Sequence, residues 1–119
     1  MMTPLRTLVL LGTLIPGIGL TTSRACGQPS ITTNVEYASV GGRSLRLDVH
    51  RAAGNEPCPA VVLVHGGGFT GGAKGGYTGQ LARHLAAHGF VAFDIDYRLR
   101  GDLGPGATLE QAMVAAQED

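Results

Sequence analysis

Ala60-Val61-Val62-Leu63-Val64-His65-Gly66-Gly67-Gly68-Phe69 is the stretch that decides the fold of this 119-residue chain. An unbroken apolar run rich in β-branched residues predicts a strand covered on both faces and central in a parallel sheet, because a half-exposed strand would alternate. The glycine triplet follows at the strand's C-terminal end, where open α/β sheets bind their ligands. Without Cβ atoms the backbone there can turn so that successive N–H groups point outward and a substrate oxygen can approach them closely. Donors of that kind stabilise the oxyanion of an acyl-transfer intermediate.

Downstream, the pattern predicts a helix over residues 80–88, with Leu81, Ala82, Leu85 and Ala86 on one stripe and Gly89 placed to end it. Phe90-Val91-Ala92-Phe93-Asp94-Ile95-Asp96-Tyr97 reads as a second buried strand, so that strand, helix and strand form a right-handed βαβ unit. Upstream, residues 32–40 carry β-formers, Gly41-Gly42 is a hairpin dipeptide, and in Leu45-Arg46-Leu47-Asp48-Val49-His50 apolar and polar residues alternate. That alternation turns Leu45, Leu47 and Val49 toward the core and the polar residues outward. Residues 98–107 form a Gly/Pro loop, and Thr108 opens a last helix with Gln111 in the capping-box position. The expected fold class is α/β: an antiparallel hairpin and then the first βαβ of a mostly parallel sheet.

The length fits one domain, and 44% hydrophobic with 15% charged residues is a globular composition. A formal net charge of zero gives no electrostatic hold on nucleic acid or anionic lipid. Residues 1–6 carry one positive charge and residues 7–20 are mostly apolar, which together make the head and apolar region of an export signal. Ser23 and Ala25 supply small residues for cleavage after Ala25. Residues 1–25 are therefore expected to be a signal peptide, residues 26–119 the domain, and the location secreted or periplasmic. The apolar stretch contains Pro16 and falls short of the ~20 residues of a membrane span. A lipid anchor on Cys26 is disfavoured by Arg24, which stands where a small residue is wanted. Cys26 and Cys58 either pair in an oxidising compartment or are independent thiols; both readings stay open.

With the glycine loop and, one strand later, Asp96-Tyr97-Arg98-Leu99, the chain resembles the α/β-hydrolase superfamily over about residues 35–119. The resemblance is to esterases and lipases similar to hormone-sensitive lipase and to the acetyl-xylan and feruloyl esterases. It implies hydrolysis of a small-molecule or carbohydrate ester through a serine acyl-enzyme, with no metal and no organic cofactor. It further implies that the backbone N–H groups of Gly66 and Gly67 form the loop half of an oxyanion hole, with Gly68 supporting the turn. Phe69 stands where relatives have Trp or Phe. His65 is expected to bond the loop backbone rather than act as a base, and Tyr97 and Arg98 to brace the region beneath.

The family also needs a Gly-x-Ser-x-Gly elbow after this loop, then Asp or Glu, then His. Ser23, Ser30, Ser39 and Ser44 all precede the loop, and none has that context. The chain therefore reads as the N-terminal portion of a hydrolase, inactive alone, since loss of the serine costs about a million-fold. Its central strand would be left with an unpaired apolar edge, which invites aggregation. Two alternatives stand beside this reading. One is a non-catalytic, hydrolase-like binding module. The other is a dinucleotide-binding βαβ unit, because Gly66-Gly67-Gly68-Phe69-Thr70-Gly71 satisfies G-x-G-x-x-G and Asp94 and Asp96 follow at a distance suited to a ribose. Against the latter, the helix begins too late for its N-terminus to meet a pyrophosphate. His84 and His88 read as surface residues.

Overall fold

The computed structural model describes residues 27–54 and 56–119. The expected signal peptide, its cleavage point and Cys26 lie outside the described residues. The elements are β1 (Gly27–Val40), β2 (Arg43–Ala53), β3 (Ala60–Val64), α1 (Tyr77–Ala87), β4 (Val91–Ile95), a 3-10 turn (Arg100–Leu103) and α2 (Leu109–Glu118). They build one sheet in the order β1-β2-β4-β3. β1 with β2 and β2 with β4 are antiparallel, whereas β3 and β4 are parallel and joined through α1. The hairpin and the βαβ unit are thus both present, in one mixed sheet.

Local chemistry explains the punctuation. Gly41 and Gly42 have φ of 58° and 81°, the paired left-handed residues of a two-residue hairpin turn. At the end of α1, Gly89 (φ 88°) donates to Ala86 O at 3.2 Å and Phe90 N to Leu85 O at 3.1 Å. These two bonds make a Schellman motif. Thr108 caps α2, with its hydroxyl accepting from Gln111 N and its own amide donating to the Gln111 side chain. The start of α1 departs from expectation: the helix begins at Tyr77, three residues before the predicted point. Gly79 lies inside it, where a Cβ would come within 3.3 Å of an Asp94 carboxylate oxygen, so the residue that looks like a breaker permits close packing on β4.

Two expectations about the sheet faces are corrected. Leu45 is buried as expected, but Leu47 and Val49 are only half-buried, while Asp48 and His50 are buried. α1 docks on the face that carries Asp48, His50, Ala92 and Asp94, so alternation identified the two faces but not which one is covered. β3 lies at the edge of the described sheet, the unpaired edge expected of this chain, but it is not covered on both faces as expected. Its Val61 and Leu63 are half-buried level with Ala92 and Asp94, whereas Val62 and Val64 are each 59% exposed. The open edge and apolar face are the features that invite association. Among the described residues no helix is long and apolar enough to cross a membrane.

Tyr37 pins β1 to the end of β4 by donating from its hydroxyl to Asp96 O at 2.5 Å. Burial, then the charges of Asp119 and Asp96, push its pKa above the ordinary 10.0. The unfolded chain therefore releases this proton first. Stability from this group is complete below pH 10.0 and is lost as the pH rises through the higher folded value. Urea midpoints measured on either side of that value should show a shallower alkaline loss in Tyr37→Phe than in the parent chain.

Candidate active site

The loop leaving β3 is built from anchored carbonyls. The buried Tyr97 hydroxyl donates to His65 O at 2.9 Å. The His65 ring donates from Nδ1 to Gly66 O at 2.9 Å, the only role a carbonyl partner allows. Gly67 O accepts from Thr70 N at 3.2 Å, Gly71 N at 3.3 Å and Thr70 Oγ1 at 3.1 Å. In a trans peptide the C=O and the following N–H point in opposite directions. Fixing the carbonyls of 65, 66 and 67 therefore aims the amides of Gly66, Gly67 and Gly68 away from their anchors. No acceptor for any of these three amides is found among the described residues, and all three glycines are exposed.

The backbone needs glycine here. Gly67, Gly68 and Phe69 have φ of 134°, 60° and 60°. A Cβ on Gly67 would sit 1.9 Å from Gly71 O. Phe69 holds a left-handed conformation that costs an L-residue about 1–2 kcal/mol. Two contacts offset this: its carbonyl accepts from Arg100 N at 2.8 Å, and its ring packs edge-on against Tyr97 with centroids 6.0 Å apart. His65, only 7% exposed, stacks on the Tyr97 ring with centroids 4.5 Å apart. Tyr97 thus reaches the loop. Arg98 does not: its Nε donates to Asp119 at 2.6 Å and its Nη2 to Ala115 O at 3.0 Å, so it ties down the C-terminal turn of α2.

The far arm of the loop is held by residues that the sequence reading did not assign to the site. Lys74 N donates to Asp96 Oδ1 at 2.8 Å and Gly75 N to Asp94 Oδ2 at 2.6 Å. The Lys74 ammonium reaches Asp48 Oδ1 at 2.7 Å and Asn34 Oδ1 at 3.0 Å. Burial alone would raise the Asp48 pKa, but Lys74 and the Asn34 amide outweigh it and hold the carboxyl below its usual value. The available signal was two carboxylates in an otherwise apolar buried strand, which demand hydrogen-bond donors. Asp94 and Asp96 are occupied by loop amides, and α1 begins only at Tyr77, so the arrangement a dinucleotide needs is not assembled. His84 on α1 and His88 at its C-terminal cap are exposed, as expected.

This geometry can be set beside known proteins. A model of the BD-FAE family matches residues 47–115, more than half of the chain and the whole of the loop with its anchors on β2 and β4. The chain belongs to the BD-FAE family. Members are esterase-type α/β-hydrolases, and the mixed sheet described above is consistent with the N-terminal part of that fold. Among solved structures, esterase B from Lactobacillus rhamnosis is similar at 25% identity and a TM-score of 0.52, over 66% of this chain and 25% of that one. A second structure of that esterase, inhibited by a tributyrin phosphonate, shares the fold at 22% identity and a TM-score of 0.52, over 75% of this chain and 29% of that one. A curated relative, the non-reducing polyketide synthase Preu6 of Preussia isomera, is 32% identical over 88 residues, which is 69% of this chain and 4% of that protein. The chain spans about a quarter of the length of that esterase and 4% of that synthase.

A pocket of about 230 Å³ opens beside the loop, lined by His65, Gly66, Gly72, Ala73, Tyr77 and Thr78. Ligand pockets are commonly about 300–1,000 Å³, so this one is small by itself.

Proposed function

We propose that this BD-FAE segment is the oxyanion half of a carboxylic-ester hydrolase that works through a serine acyl-enzyme. The observation that carries the proposal is the row of amides at Gly66, Gly67 and Gly68, aimed by anchored carbonyls and lacking acceptors among the described residues. When a serine Oγ adds to the ester carbonyl, the carbonyl oxygen takes up negative charge. The Gly66 and Gly67 N–H groups stabilise it without reorganisation, and losing one such donor typically costs about 10²–10³ in rate. His65 acts in this reading as the clamp on the Gly66–Gly67 peptide, not as a proton carrier. The nucleophile, its base and the orienting acid come from residues beyond these 119, in a protein exported to the periplasm or the exterior. The substrate is an ester of a small molecule or carbohydrate.

The test is ester hydrolysis by the gene product that carries this segment followed by a Gly-x-Ser-x-Gly elbow. Turnover that Ser→Ala at the elbow abolishes supports the reading. An active product whose turnover survives that change contradicts it.

A further inference from the structure

Beneath α1, on the covered face of the sheet, lies a group of side chains that the esterase chemistry does not use. β2 and β4 run antiparallel with Asp48 directly opposite Asp94, and His50 stands two residues along on the same face, opposite Ala92. Like charges placed opposite one another in an antiparallel pair repel, and burial sharpens the repulsion. These carboxylates are 8% and 0% exposed.

The polar atoms of this group are only partly satisfied. Asp48 is bonded to the Lys74 ammonium and the Asn34 amide, and Asp94 Oδ2 to the Gly75 amide. Asp94 Oδ1 and both ring nitrogens of His50 are buried with no hydrogen-bond partner, and His50 is 2% exposed. A buried imidazole with both nitrogens unsatisfied forfeits two hydrogen bonds, and native structures seldom leave such groups without a partner or a ligand. One ligand atom from each of Asp48, His50 and Asp94 lies within 4.8 Å of the other two.

We propose that Asp48, His50 and Asp94 bind one divalent ion of the zinc type, in competition with the Lys74 ammonium. One nitrogen and two carboxylate oxygens form a donor set that suits zinc-like ions, with water completing the coordination. Four-coordinate bonds of about 2.0–2.2 Å hold ligand atoms roughly 3.3 Å apart, so the side chains must close by about 1.5 Å at most. Lys74 already places a cation against Asp48, and Arg83 faces the cluster from α1 without an ion pair to either carboxylate among the described residues. The ion must therefore displace Lys74 from Asp48. Once bound, it would join β2 to β4 under the turn whose Gly75 amide rests on Asp94. The ester chemistry itself needs no such ion, so this site stands apart from the proposed reaction.

The exposed His84 and His88, with ring centroids 4.3 Å apart at the C-terminal end of α1, could capture an ion by themselves. The test therefore uses the untagged chain carrying His84→Gln and His88→Gln, titrated with Co²⁺ and followed by the visible absorption that intensifies when the ion leaves octahedral water for a four-coordinate site. The expected result is saturation at one ion per chain, reversal by Zn²⁺, and a loss of affinity of about tenfold or more in His50→Ala and Asp94→Asn. Lys74→Met removes the competitor without removing a ligand and should tighten binding about tenfold, which keeps the test decisive even if the His50 variant does not fold. Absence of the band, affinity unchanged by His50→Ala in a folded variant, or affinity unchanged by Lys74→Met would each overturn the proposal.

Discussion

Gly67→Ala is expected to destroy the loop, whereas Gly66→Ala, one residue earlier, is expected to leave it standing. At Gly67 the new methyl would lie 1.9 Å from Gly71 O and 2.6 Å from Gly71 C, both backbone atoms of the turn that Gly67 O itself closes. The φ of 134° is also one that L-residues rarely adopt. Backbone strain of this kind costs about 1–3 kcal/mol before the overlap is counted, so the turn must open. At Gly66 nothing lies within 4 Å of an added Cβ and φ is ordinary, so the expected cost is within about 0.5 kcal/mol. Urea unfolding at low micromolar concentration measures the two costs. Amide hydrogen exchange at Thr70 and Gly71, the donors to Gly67 O, should accelerate in Gly67→Ala and not in Gly66→Ala.

The second large effect is expected at Tyr97, which serves the loop in two separable ways. Its ring, 5% exposed, packs against both His65 and Phe69, and its hydroxyl holds His65 O. Tyr97→Ala removes both and should cost about 3–5 kcal/mol, the usual range for deleting a buried aromatic ring. Tyr97→Phe keeps the ring and abandons only the carbonyl, for about 1–2 kcal/mol. In an active hydrolase containing this segment, Tyr97→Phe frees the peptide whose N–H belongs to Gly66. It should lower kcat more than it raises KM, because the oxyanion exists only in the transition state. Equal destabilisation by Phe and Ala, or a pure KM effect, would contradict this assignment.

What the sequence discloses here is what local rules govern. The Gly41-Gly42 turn, the Thr108–Gln111 capping box, the Gly89 terminator and the apolar stripe of α1 each depend on residues within a few positions of one another. The His65 to Gly68 loop was legible because a strand and a glycine run adjoin. Other features depend on docking. Alternation in β2 separates Leu47 from Asp48, but only the seating of α1 decides that Asp48 and His50 are buried. Lys74 finds Asp96 across 22 residues and Asp48 across 26, through the sheet order, which no local pattern encodes. The early start of α1 was hidden because Gly76 and Gly79 resemble breakers until Asp94 is seen pressed against Gly79.

The central claim is that these residues hold the oxyanion donors of an esterase and not its nucleophile. It is tested most directly by exposing the purified 119-residue chain to p-nitrophenyl butyrate and to a fluorophosphonate probe, beside the gene product that carries it together with a Gly-x-Ser-x-Gly elbow. The prediction is no turnover above the buffer rate and no covalent label on the chain, with label confined to the elbow serine of the longer product. Turnover with label on Ser30, Ser39 or Ser44 of the chain itself would contradict the account.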